Sequence, residues 1–184
     1  MPYKVGLIVG SLRKGAYTRM LGEATKELAP PSWTLIDIGI GDLPLYNMDL
    51  ETDTPPPAWT AFRKAVAASD GVLFITPEFN RGMPGALKNA LDVGSRPWGH
   101  SVWNGKPTAV MSLTPGPLGA MAAHQQLRHT LSILNSPTLP GPEVYMPGAA
   151  TLFDEAGKLK NEETKKIVTT LLQAFDKWIG RFKD

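Results

Sequence analysis

The sequence contains no cysteine. Disulfides, thiolate nucleophiles, thiolate-bound zinc and iron-sulfur ligation are all excluded, so any redox chemistry has to be carried by a bound cofactor. Long apolar runs are missing as well. No segment approaches the roughly 20 residues that span a bilayer, and the apolar stretch after Lys4 stops at Gly10, too short for the core of a signal peptide. The expectation is a soluble, cytoplasmic protein with no membrane partner. Charge of one sign is not in excess either: 19 Lys and Arg face 17 Asp and Glu. No basic run is long enough to follow a phosphodiester backbone, so nucleic acid is not an expected partner. Histidine is scarce. His124 and His129 are five residues apart, a spacing that puts them on different helix faces, and with His100 they read as surface or interface residues and not as metal ligands.

What is present suits one domain over residues 1–184 with a substantial core, since 42% of the chain is hydrophobic. Lys4 to Gly10 is a short apolar run, as in a strand covered on both faces. Met20, Leu21, Ala24 and Leu28 then recur at helical spacing, with Thr18 as N-cap and Pro30-Pro31 as the stop. Trp33 to Ile38 predicts a second strand, and the Gly- and Pro-rich connection from Gly39 to Pro57 is long enough for a functional loop. Ala58 to Ser69 predicts a helix, Gly71 to Thr76 a fully buried strand, Gly85 to Ser95 a helix opened by Pro84, and Lys106 to Met111 a fourth strand. A helix from Ala120 to Leu134 and a weak strand around Glu143 to Met146 follow. The stripe Ile167, Leu171, Leu172, Phe175, Ile179 and Phe182 marks a C-terminal helix that covers the sheet. The alternation is that of an α/β doubly wound, five-stranded parallel sheet with helices on both faces, in the order 2-1-3-4-5.

Such sheets bind ligands beyond the carboxyl ends of their strands. After strand 1 the chain brings together Gly10 and Gly15, the hydroxyls of Ser11, Tyr17 and Thr18, and the cations Arg13, Lys14 and Arg19. Backbone N–H groups, a helix dipole and charged donors converge there, as an anion requires; a solvated basic turn is the alternative. It is not a Walker A loop, because Ala16-Tyr17 stands where Lys-Ser/Thr is needed, and it holds no G-x-G-x-x-G. After strand 3, Pro77, Glu78, Phe79, Asn80 and Arg81 lead into Gly82. That loop can hold a flat ring against backbone donors and acceptors or serve only as a tight turn. After strand 4, Ser112, Thr114 and Gly116 could close over the other side.

The run Gly10-Ser11-Leu12-Arg13-Lys14-Gly15 resembles the phosphate loop of the NADPH-dependent FMN reductases, the flavodoxin-like group that includes bacterial quinone and chromate reductases. Pro77-Glu78-Phe79-Asn80 and Pro84-Gly85-Ala86-Leu87-Lys88-Asn89-Ala90-Leu91-Asp92 resemble its P-E-Y-N and P-G-x-L-K-N-A-x-D segments, in the same order. The likeness covers essentially the whole chain, including Gly105-Lys106-Pro107 and Leu127-Arg128. It implies a flavodoxin-like fold, tightly bound FMN, and NADPH or NADH as donor. Two electrons would pass by a ping-pong scheme to small-molecule acceptors, with no catalytic side chain beyond those that hold the flavin. It also implies a homodimer or homotetramer, with Gln125 and Glu143 at positions of subunit contact. Arg81 could stabilise reduced flavin or be a surface side chain, and Arg96 could cap its helix or reach toward the pocket.

This sequence departs from the family pattern at three places inside the motifs. Ala16 stands for a frequent Ser, Thr18 for Asn, and Phe79 for Tyr. The first two alter hydroxyl contacts to the phosphate, and the third keeps the aromatic surface without its hydroxyl. A flavodoxin-type electron carrier and a nucleotide-binding regulatory module are the rival classes. The first fits poorly with three cations in the phosphate loop and a weakly basic chain, and the second has no use for the loop after strand 3. Arg13→Ala is expected to weaken FMN binding by about 1.5 to 3 kcal/mol, the worth of a hydrogen bond to a charged group. Titration of flavin fluorescence checks this, and an unchanged dissociation constant would show that Arg13 faces solvent.

Overall fold

The computed structural model describes residues 2–183. Its sheet has five parallel strands, β1 (Tyr3–Val9), β2 (Trp33–Asp37), β3 (Gly71–Thr76), β4 (Thr108–Leu113) and β5 (Val144–Met146). Their order is β2-β1-β3-β4-β5, as the sequence pattern predicts. β3 and β4 are buried at every position, which is why both read as unbroken apolar runs.

Two helices, α1 (Tyr17–Leu28) and α6 (Glu162–Gly180), pack one face of the sheet around Leu7, Leu73, Met111, Leu171 and Phe175. The other face is covered by α2 (Pro57–Ala67), α3 (Gly85–Gly94) and α4 (Met121–Ile133) around Ile8, Phe74, Trp59, Leu87 and Leu127. Each large side chain fully buried here contributes about 1.5 to 3 kcal/mol. A short helix, α5 (Ala149–Leu152), and a 3-10 turn, Met48–Leu50, have no counterpart in the sequence reading.

Several expectations are corrected in detail. Thr18 is not the N-cap of α1; Ala16 occupies that place with no side-chain cap, and Thr18 is buried in the first turn. β4 starts at Thr108 and not at Lys106, because Pro107 has no N–H to give and offers only its carbonyl, which accepts from Val72 N. The ammonium of Lys106 bonds the Ala67 and Ser69 carbonyls at the end of α2, and burial holds its pKa below the usual lysine value. On α6 the buried stripe runs through Val168, Leu171, Leu172, Phe175 and Ile179. Ile167 lies a step around the helix from it, and Phe182 lies past the helix end against Trp178; both are largely exposed. Trp103, in a segment without pattern, is fully buried, and its indole touches Gly94 so closely that a Cβ there would lie 2.5 Å from Nε1.

The long connection between β2 and α2 is pinned to the body. Buried Asn89 on α3 accepts from Tyr46 N at 2.8 Å and donates to the carbonyls of Leu43 and Pro44. Trp59 Nε1 also donates to Pro44 O, and Arg63 clasps Glu51 with both terminal nitrogens at 2.8 and 2.6 Å. Asn89→Ala leaves the Tyr46 N–H and the Leu43 carbonyl unpaired, while Pro44 O keeps its bond from Trp59, and is expected to cost about 1 to 3 kcal/mol. Urea unfolding should show a lower midpoint with an unchanged slope; an unchanged midpoint would mean that the connection does not depend on Asn89.

Candidate functional site

The three singled-out loops meet beyond the carboxyl ends of β1, β3 and β4. Gly10 N donates to Ile75 O at 2.8 Å, closing the seam between β1 and β3 where the connections diverge to opposite faces. A cleft of about 150 Å³ opens above that seam, lined by Ser11, Arg13, Tyr17 and Thr18, by Pro77 and Glu78, and by Thr114.

The first wall gathers donors that have no protein partner among the described residues. The N–H groups of Ser11, Leu12, Tyr17 and Thr18 donate to nothing among the described residues. The Thr18 hydroxyl is buried and has no hydrogen-bond partner. A buried hydroxyl left alone costs about 1 to 3 kcal/mol, so this group marks a place for an acceptor. The loop holds its own shape: Arg13 N donates to Ser11 Oγ at 3.3 Å and Arg19 Nε to Arg13 O at 3.2 Å. The Arg13 guanidinium lies 5.9 Å from the Tyr17 ring centre, and Tyr17 stacks on Phe153. Arg13, Lys14 and Arg19 are exposed around the rim.

The second wall is a two-residue hairpin. Phe79 and Gly82 exchange both backbone hydrogen bonds, and Asn80 and Arg81 between them take φ of 51° and 61°. Two successive left-handed residues are the mark of a type I′ turn, so the loop is both a tight turn and a wall of the cleft. The Glu78 carboxylate is spent within the protein: Oε2 accepts from Ala122 N at 3.0 Å and Ala123 N at 3.3 Å, capping α4. Its other oxygen is 3.4 Å from Arg81 Nη1. Pro77 and Glu78 line the cleft, while Phe79, Asn80 and Arg81 are exposed. Gln126 braces the hairpin from α4, accepting from Met83 N at 2.7 Å.

The third wall is formed by Leu113, Thr114 and Pro115, at the start of the segment that runs on to Gly119. Thr114 N donates to Met146 O, and Thr114 O accepts from Ala149 N. Thr114 Oγ1 faces Gly116 N at 3.5 Å. Ser112 does not offer its hydroxyl to the cleft as the sequence suggested: it is buried and donates to Gly119 O at 2.8 Å. His124 is not a surface residue. It is fully buried, its Nδ1 lies 3.3 Å from Ser112 Oγ, and burial first, then the Arg128 charge, pushes its pKa down to about 4.

Elsewhere, Arg96 caps rather than reaches: its Nη1 is 3.3 Å from Ser95 O at the end of α3, and its guanidinium lies over Trp98. Gln125 donates to Glu143 and to the Tyr145 hydroxyl, which donates to Glu143 at 2.6 Å. A larger concavity of about 810 Å³ runs along α4 past Gln125, Arg128 and His129, and no residue of the three loops lines it. Among the described residues there is no group of His, Asp and Glu that could hold a metal, and no helix is long and apolar enough to cross a membrane.

A doubly wound sheet of this order is the architecture of the flavodoxin-like flavoenzymes. The chain belongs to the NADPH-dependent FMN reductase family, whose profile matches residues 3–151. A quinone reductase from Pseudomonas putida is 50% identical over 177 residues, covering 96% of this chain and 95% of that protein. A 2-hydroxy-1,4-benzoquinone reductase from Burkholderia sp is 39% identical over 179 residues, 97% of each. The structure of a flavoenzyme NAD(P)H:(acceptor) oxidoreductase from Paracoccus denitrificans superposes with a TM-score of 0.91 at 36% identity over 98% of both chains. The expected fold, enzyme class and cofactors, FMN with NAD(P)H, are thereby borne out.

Thr18→Val exchanges the lone hydroxyl for a methyl group of the same shape. The flavin-free protein should gain about 1 kcal/mol of stability, since a buried unsatisfied group is removed, while FMN affinity drops about tenfold. Melting curves with and without FMN test both, and a variant less stable without FMN would show that the hydroxyl is already satisfied.

Proposed function

We propose that the chain oxidises NADPH or NADH and passes two electrons to quinones, chromate or similar acceptors in a ping-pong sequence at one FMN site. The observation that carries this reading is the buried, unpartnered Thr18 hydroxyl beside the unbonded N–H groups of Ser11, Tyr17 and Thr18. These donors match the oxygens of a phosphate, and the rim cations Arg13, Lys14 and Arg19 match its charge. Bound FMN supplies the two-electron chemistry.

The protein's part is to hold and orient. Backbone groups at Pro77, Glu78 and Asn80 take the polar edge of the ring, and Thr114 and Gly116 close the opposite side. The exposed ring of Phe79 and the cation of Arg81 present an aromatic face and a positive charge to an incoming nucleotide or acceptor. The names of the relatives support quinones as one acceptor class. Because the mouth is open, donor and acceptor use it in turn, which is the physical basis of the ping-pong order.

The test has two parts. FMN-loaded protein mixed anaerobically with NADPH or NADH should lose its yellow colour and regain it on addition of a quinone or chromate. Initial rates against nucleotide at several fixed quinone concentrations should give parallel double-reciprocal lines. Colour that persists under both nucleotides refutes the activity, and intersecting lines refute the order.

A further inference from the structure

His124 lies in the first turn of α4, with no solvent exposure. Ser112 beside it donates its hydroxyl proton to Gly119 O at 2.8 Å. The Ser112 oxygen is then left to receive Nδ1–H of His124, 3.3 Å away. This assigns the proton of the neutral imidazole to Nδ1. Nε2 carries the lone pair, buried and without a hydrogen-bond partner.

The segment held this way has no slack at its α4 end. Gly119 and Ala120 both take left-handed φ, 58° and 63°, and a Cβ on Gly119 would lie 2.7 Å from the Tyr145 carbonyl carbon. Its β4 end is fixed by backbone bonds to Met146 and Ala149. The Gly119 carbonyl accepts from Ser112, whose hydroxyl also lies 3.4 Å from Val144 O, and the bond from His124 turns that hydroxyl toward Gly119.

We propose that His124 is a positioning residue for the cofactor: through Ser112 it holds the segment Thr114–Gly119 in shape to close on FMN, and on gaining a proton it releases that segment. This rests on the reading of that loop as a wall of the flavin site. A proton added at Nε2 finds no acceptor. Of the charges facing the ring, Arg128 on the same helix repels it. Glu143 attracts it but is already engaged by Gln125 and Tyr145, whose own ring packs edge-on against the imidazole at 4.6 Å. In place the imidazole takes up the proton only near pH 4, whereas a ring that has left its place and broken the bond to Ser112 takes it up near its ordinary value.

The sign follows from linkage. The closed form holds His124 neutral, so its contribution is complete at neutral pH and is lost as pH falls. From the ordinary value of 6.5 down to about 4, the open, protonated form gains tenfold per pH unit. The FMN dissociation constant should begin to rise once the open form is no longer minor, and then climb by up to that factor per pH unit, beyond the loss caused by protonating the FMN phosphate, whose second pKa is about 6.

The experiment measures FMN binding by fluorescence from about pH 7.5 to about pH 4.5 for the wild type, His124→Asn and His124→Phe. It also follows the His124 ring and the Gly119 amide by NMR in flavin-free protein. Asn places an amide N–H where Nδ1–H stands and has no proton to gain, so His124→Asn should bind as the wild type does at neutral pH and lack the extra acid slope. His124→Phe should bind about tenfold more weakly at neutral pH, the worth of one lost tie, and also lack the slope. Ser112→Ala should match that neutral-pH loss with the imidazole kept, which decides the matter if the Phe variant does not fold. Wild-type affinity in His124→Phe or Ser112→Ala, or a full acid slope in His124→Asn, overturns the proposal. A ring that titrates near its ordinary value with no response at Gly119 also overturns it. If the wild type takes up no FMN at any pH, the flavin reading fails, and the NMR titration still decides whether His124 holds the loop.

Discussion

A carboxylate from one loop starts a helix that belongs to another. α4 opens at Ala120, which has no side chain to cap it, and the missing cap comes from Glu78, 44 residues earlier than Ala122. Such a cap is worth about 0.5 to 2 kcal/mol, and a negative charge at the positive end of the helix adds to it. The geometric effect is larger than the energy suggests. Because Glu78 is held by α4, the strand-3 loop cannot move apart from the helix that the strand-4 loop leads into. Gln126 adds a second tie through Met83. Two walls of the cleft thus behave as one piece, set against the first wall on α1.

The sequence made the architecture legible because buried parallel strands leave unbroken apolar runs, and Gly and Pro mark where each ends. It placed the three loops for the same reason. Side-chain direction was less legible. Ser112 stands one residue before the end of β4, where a hydroxyl can face cleft or core, and only packing decides that it turns inward to Gly119. His124 looked like a polar residue on a polar stretch of helix; its burial arises from Tyr145, which is distant in sequence. Asn89 stood inside a recognised motif, yet its three bonds go to a connection more than 40 residues away. Trp103 and Phe153 sat in segments with no period, so nothing local announced that one would fill the core and the other would support Tyr17. Long-range partners were what the pattern lacked.

The same partners show how stability is divided between frame and site. Around Asn89, Arg63 and Trp103 the polar groups are paired and the packing is tight enough to exclude a methyl group at Gly94. At the first wall the opposite holds, with a hydroxyl and several N–H groups left without partners among the described residues. Folding such a loop ahead of its ligand is unfavourable by itself, and a rigid surround is what makes it tolerable. Preorganisation of this kind transfers part of the binding penalty to folding.

The capping of α4 by Glu78 also shapes how anions approach. With that helix end neutralised, the positive end of α1 is left to face the cleft, and no acidic residue lies in its first turn. Arg13, Lys14 and Arg19 surround it in water. Exposed charges of this sort act over a screening length of about 8 to 10 Å at ordinary salt and chiefly speed encounter. The buried donors beneath them are shielded from ions and govern escape. Under the proposed reading, capture and retention of a phosphate-bearing molecule fall to different atoms of one loop, the first sensitive to ionic strength and the second largely indifferent to it.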